Sequence, residues 1–239
     1  MKAYLAIDFG SIYTKLTAID LDNEVILATA KDITTVEDDI MIGFNKAFNK
    51  LKIEINKKIN FDEINFVNKT ACSSAAGGLK MVAIGLVPEL TAEAAKKAAL
   101  GAGARVIKTY AYELNSRELE EIKNTALDII LLAGGTDGGN KECIIHNAKM
   151  LAEFKVKVPV VVAGNKAATD EIENILKEAE IDCYITENVM PFINKLNVEP
   201  SREEIRKVFM NKIVEAKGMK KAEEFIKGIL MPTPAAVLK

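Results

Sequence analysis

A chain of 239 residues, 49% hydrophobic and 28% charged, has room for one large domain or two small ones around a sizeable core. Its 32 Lys and Arg against 34 Asp and Glu leave a net charge of -2, so no basic field addresses nucleic acid and no charged tail addresses a membrane. One histidine and three scattered cysteines (Cys72, Cys143 and Cys183) argue against a histidine-rich zinc site or a Ser-His-Asp triad, and for reduced thiols in a cytoplasm.

The start "MKAYLAIDFG" carries about five apolar residues before Asp8, too few for a signal peptide, and no apolar window approaches the roughly 18 residues of a membrane span. "AYLAIDF" and "KLTAIDL" read as two short strands joined by a Gly-Ser turn, and "EVILATAKDI" follows as a third. The period then changes. Ile40, Phe44, Ala47, Phe48 and Leu51 fall at helical spacing, with Thr34 and Glu37 as a capping box, before "EINFVNKTA" returns as a strand.

From residue 78 onward, strand-helix units repeat. "LKMVAIGLV" precedes the Ala-rich helix "TAEAAKKAALGAGA", closed by Gly101 and Gly103. "ARVIKTYAYE", "DIILLAGG", "VPVVVAGN" and "DCYITENV" are strands, followed in turn by helices in "SRELEEIKNT", "NKECIIHNAKMLAEF", "ATDEIENILKEAE" and "MPFINKL". "DIILLA" and "VPVVVA" are unbroken apolar runs, as expected where helices cover both faces of a parallel sheet. A helical stretch follows from residue 201, with Ser201 and Glu204 as a capping box, and the sequence stops on "MPTPAAVLK".

The segment "DFGSIYTK" (8–15) carries the first candidate chemistry. Small residues let backbone N–H groups approach phosphate oxygens, Lys15 neutralises phosphate charge, and Asp8 holds a hydrated Mg²⁺, which takes one or two carboxylates plus waters. The competing reading is a plain β-turn with a solvated lysine.

"AGGTDGGN" (133–140) follows the strand "DIILL" and precedes a helix, so Gly134, Gly135, Thr136, Asp137 and Gly138 form a second candidate ligand loop, at the carboxyl edge where such sheets bind ligands. A structural Gly-rich turn fits equally, and Asp137 reads either as a metal or partner ligand or as a cap for the helix near Asn140. "ACSSAAGG" (71–78) has no base nearby in sequence, so packing or a crossing between domains is favoured over a nucleophilic Cys72. His146 lies on an apolar-periodic helix and reads as a satisfied boundary residue.

"DFGSIYTK", set in the order β-β-β-α-β, resembles the first phosphate motif of the actin, sugar-kinase and Hsp70-type ATPases. "ACSSAAGGLKMVAIGLVPELTAEAAKKAALGAGARV", "DIILLAGGTDGGN" and "MPTPAAVL" further resemble the MutL/GlmL family of glutamate mutase accessory proteins, which is unrelated to the mismatch-repair protein of the same name.

The resemblance implies an actin-like (ribonuclease H-like) subdomain with an inserted doubly wound parallel α/β domain. Its expected parts are 1–75 as the first part of the nucleotide domain, 76–200 as the insertion and 201–239 as a helical segment leading to a second half. It implies an ATP-dependent reactivating, chaperone-like partner of adenosylcobalamin-dependent mutase subunits. ATP or ADP with Mg would be held by Asp8, Gly10, Ser11, Tyr13, Thr14 and Lys15. No cobalamin motif is found, and no second Asp-x-Gly-x-x-Thr loop follows residue 200. The expectation is therefore an N-terminal portion, inactive alone as an ATPase, in a protein that is neither membrane-bound nor nucleic-acid-binding. The rival readings are a small-molecule kinase of the sugar or acetate type and a non-enzymatic interaction module.

Overall fold

A computed structural model describes residues 1–35, 38–74, 78–215, 219–226 and 230–233. The chain divides into two compact units, Met1–Gly78 together with Phe209–Lys239, and Leu79–Val208.

In the first unit, β1 (Lys2–Phe9), β2 (Tyr13–Asp20) and β3 (Val25–Ile33) form an antiparallel meander. Strict alternation along β1 buries Ala3, Leu5, Ile7 and Phe9 and leaves the intervening side chains on the opposite face. Helix α1 (Ile40–Asn56) buries Ile40, Phe44, Ala47, Leu51 and Ile55, and the Phe44 ring centroid lies 6.0 Å from that of Phe9. A Cβ on Gly43 would stand 2.3 Å from the Ile33 carbonyl oxygen, so only glycine lets α1 approach β3 this closely.

The cap of α1 is Asp39, whose carboxylate accepts from the Met41 N–H at 2.8 Å. This corrects the expected Thr34 box: the Thr34 hydroxyl lies 3.0 Å from that of Thr14, and Glu37 lies outside the described residues. Strand β4 (Asn65–Ser73) then runs parallel to β1.

The second unit begins with β5 (Leu79–Gly85), α2 (Pro88–Ala99), β6 (Ala104–Ala111), α3 (Ser116–Asn124) and β7 (Ile129–Leu132). It continues with α4 (Glu142–Glu153), β8 (Val160–Val162), α5 (Thr169–Glu178) and β9 (Cys183–Ile185). All pairings are parallel, in the order β6-β5-β7-β8-β9. The residues of β7 and β8 are all buried, as their apolar runs require.

Two expected features are corrected here. Residues 190–196 form no helix: Asn194 adopts φ +59, and the Pro191 carbonyl accepts from the Asp137 N–H. Helix α6 (Glu199–Glu215) starts before Ser201, which is fully buried inside the first turn with its hydroxyl 3.4 Å from that of Thr186, so Ser201 is not the cap.

Helix α7 (Met219–Ile226) and β10 (Leu230–Pro232) follow, and β10 pairs parallel with β4. The first sheet thus has the order β10-β4-β1-β2-β3. A three-stranded antiparallel meander followed by parallel strands is the actin-like, ribonuclease H-like subdomain, and the other unit is a doubly wound parallel α/β domain.

Candidate functional site

The β1–β2 hairpin is closed by the Gly10 N–H donating to the Tyr13 carbonyl at 3.1 Å. A Cβ on Gly10 would sit 2.7 Å from that carbonyl oxygen, so the turn demands glycine. The turn is fastened from outside by the Thr34 N–H donating to the Ile12 carbonyl at 2.8 Å. Ser11 and Tyr13 are exposed at the tip.

Strand register sets the row behind the turn. Asp8 pairs with Lys15 on β2 and with Cys72 on β4, so the three side chains line up on the face away from the buried Phe9. The Lys15 ammonium lies 3.4 Å from Asp8 Oδ2, and the Cys72 thiol donates to Asp8 Oδ1 at 3.5 Å. Burial pushes the Cys72 thiol up, and the Asp8 carboxylate adds to that shift. Lys15 stays 60% exposed, free to take another anion. Lys31, opposite Lys15 on β3, lays its ammonium over the Tyr13 ring at 5.0 Å.

One expected ligand points elsewhere. Thr14 is fully buried and its hydroxyl meets that of Thr34, so its side chain lies on the core face. The hairpin brings Asp8 and Lys15 together, with Gly10, Ser11 and Tyr13 adjoining. A single half-exposed carboxylate fits a hydrated Mg²⁺, and among the described residues no cluster of three or more His, Cys, Asp or Glu could enclose a metal.

The second loop, 133–140, occupies the switch point of the parallel sheet, between β5 and β7. Gly134, Gly135 and Gly138 have φ of +139, +72 and +75, and a Cβ on Gly135 would stand 1.9 Å from the Asn140 carbonyl oxygen. Two buried asparagines, absent from the sequence-based expectations, hold this shape. Asn165 donates to the Gly139 and Asn140 carbonyls at 3.0 and 3.2 Å, and accepts from the Gly138 and Ala167 N–H groups. Asn188 donates to the Gly135 carbonyl at 3.0 Å and to Asp137 Oδ1 at 2.9 Å.

Asp137 also accepts from the Lys166 N–H, so its carboxylate braces the loop and does not cap α4, which begins at Glu142. Asparagines just past β8 and β9 were the available signal, since strand ends at this edge carry ligand loops. The loop walls a cavity of about 310 Å³ with Leu86, Leu90, Thr91, Val189, Met190 and Ile193.

The remaining residues singled out by sequence are quiet. His146 Nε2 lies 3.2 Å from the Leu114 carbonyl oxygen, a satisfied boundary contact. Within 71–78, residues 75–77 lie outside the described set, and Gly78, at φ +74, ends the first unit's opening segment.

Comparison with known proteins places these features in context. The sequence model of a family described as "MutL protein" matches residues 4–239. "Protein MutL" of Clostridium tetanomorphum is 71% identical over 239 residues, covering 100% of this chain and 51% of that protein. The chain thus spans about half the length of that relative.

Among solved structures, the activator of the 2-hydroxyisocaproyl-CoA dehydratase from Clostridium difficile with bound ADPNP is 10% identical at a TM-score of 0.24, over 88% of this chain and 97% of the other. The ethanolamine utilization protein EutJ from Carboxydothermus hydrogenoformans is 13% identical at 0.19, over 84% and 88%. Likenesses at those scores carry no argument about the site.

Proposed function

The chain belongs to the MutL protein family, and from that premise we propose that it forms one half of a Mg-nucleotide clamp in a cytoplasmic accessory protein of adenosylcobalamin-dependent glutamate mutase. The observation that carries the reading is the Lys15–Asp8–Cys72 row behind a turn that only glycine can make. Asp8 would hold a hydrated cation, Lys15 would exchange its ion pair with Asp8 for a phosphate oxygen, and the Gly10–Ser11 backbone would give the phosphate close access. Bound Mg²⁺ supplies charge neutralisation; positioning falls to the chain's own residues.

Nucleotide binding and hydrolysis by the longer protein would drive exchange of damaged cobalamin from a stalled mutase. The test uses a protein of the relatives' full length with cofactor-damaged glutamate mutase and fresh adenosylcobalamin. Mutase turnover should return only with Mg-ATP and should fail with Asp8→Ala. Restoration without nucleotide, or by Asp8→Ala as well, would overturn the reading.

A further inference from the structure

The cavity at the β5–β7 switch point has a chemistry unlike that of the hairpin. Its body is apolar: Leu86 and Val87 from the β5–α2 loop, Leu90 from α2, and Val189, Met190 and Ile193 from the segment after β9. Among the described residues, no Lys, Arg, Asp or Glu lines it. An anion as strong as a phosphate would enter without a countercharge and lose its hydration, which is costly in an apolar site. Neutral ligands carry no such penalty.

Polar groups nevertheless form part of its lining. Thr91 is 7% exposed and lines the cavity, and among the described residues its hydroxyl has no hydrogen-bond partner. It is pressed against β5 at a point where a Cβ on Gly85 would lie 2.2 Å from Thr91 Oγ1, so its position is fixed by packing. The Gly135 and Thr136 N–H groups, on loop residues that also line the cavity, find no acceptor among the described residues, while Asn165 and Asn188 hold the rest of the loop. Gly135 and Thr136 are half-exposed, so their donors are accessible, and a rigid apolar pocket with a few fixed, unmatched donors is organised for a ligand with a polar end.

We propose that this cavity is a binding site for a neutral small molecule with a flat or branched apolar body and one hydrogen-bond-accepting end, such as a carboxamide. The body lies against Leu86, Leu90, Val189 and Met190, and the acceptor reaches Thr91 and the Gly135–Thr136 backbone. The volume of about 310 Å³ falls at the small end of ligand pockets and suits a molecule of one or two rings. Each site lies within its own unit, so failure of nucleotide binding at the hairpin leaves this proposal intact.

The test titrates the 239-residue chain, followed by amide chemical shifts, with benzamide, benzylammonium and benzyl phosphate. Benzamide should give saturable shifts at 86–94, 133–140 and 188–193, and the two charged analogues should give none. Thr91→Val, which keeps the shape and removes the hydroxyl, should weaken benzamide about fivefold. Ile193→Arg, at a position 76% exposed and so tolerant of the fold, should abolish binding. Thermal melts of both variants establish that they are folded. Absence of saturable benzamide shifts in the unmutated chain, equal or tighter binding of either charged analogue, or an unchanged affinity in folded Thr91→Val would overturn the proposal.

Discussion

At the residue scale, the three thiols share one electrostatic fate. Burial comes first in raising each: Cys72 and Cys143 move above the ordinary thiol value, and Cys183 is pushed up to about 11 with help from the Glu173 carboxylate. The thiolate is the reactive form, so at pH 8 only about one Cys183 in a thousand is ionised. Iodoacetamide at pH 8 should therefore label native Cys183 far more slowly than a free thiol and label all three rapidly in urea, as read by intact mass. Fast native labelling would contradict the burial argument.

The hairpin follows an equally simple residue rule. Side chains alternate along a strand, so Thr14 and Lys15 cannot both face a phosphate. The motif "DFGSIYTK" makes the glycine turn legible, and the register of the 8–15 hairpin then sets Asp8 opposite Lys15. It did not reveal which face the core takes. Thr14, expected among the ligands, therefore lies on the buried side.

At the element scale, the second unit shows why strands were easier to read than loops. "IILL" and "VVV" need no partner to announce that both faces are covered. Helix α3 carries its own start signal, Asn115 and Glu118 forming a reciprocal capping box. Residues 190–196 had helical apolar spacing, but a long-range bond from Asp137 to the Pro191 carbonyl and a left-handed Asn194 decide otherwise, and neither can be read locally.

Asn165 illustrates the same limit. After a strand and a glycine it looks like turn punctuation, yet it joins four backbone groups of two loops. Asn165→Ala should lower stability by about 1–2 kcal/mol, because it removes four hydrogen bonds made by a buried side chain while the exposed loop backbone groups can turn to water. Chemical denaturation followed through this unit's amides checks it, and a loss below about 0.5 kcal/mol would show that water or loop movement replaces the side chain.

At the scale of the whole molecule, one unit is assembled from two stretches of chain far apart in sequence. Phe225 of α7 brings its ring 5.1 Å from Phe44 and 5.7 Å from Phe48 of α1, and β10 adds a fifth strand beside β4. The first sheet thus takes its fifth strand from residues beyond 208, where the sequence reading expects a helical segment through Leu230; that strand is set by long-range pairing with β4. Among the described residues no helix is long and apolar enough to cross a membrane.

The proposed role of the hairpin row in this first unit is to hold the phosphates of a Mg-nucleotide. The most direct measurement is calorimetric titration of ADP into a protein of the family's full length, with and without Mg²⁺, for the unmutated protein and for Asp8→Asn. Mg²⁺ should tighten ADP binding at least tenfold in the unmutated protein, and Asp8→Asn should erase that gain while the melting temperature stays put. An undiminished Mg²⁺ effect in Asp8→Asn would place the cation, and with it the phosphate site, elsewhere.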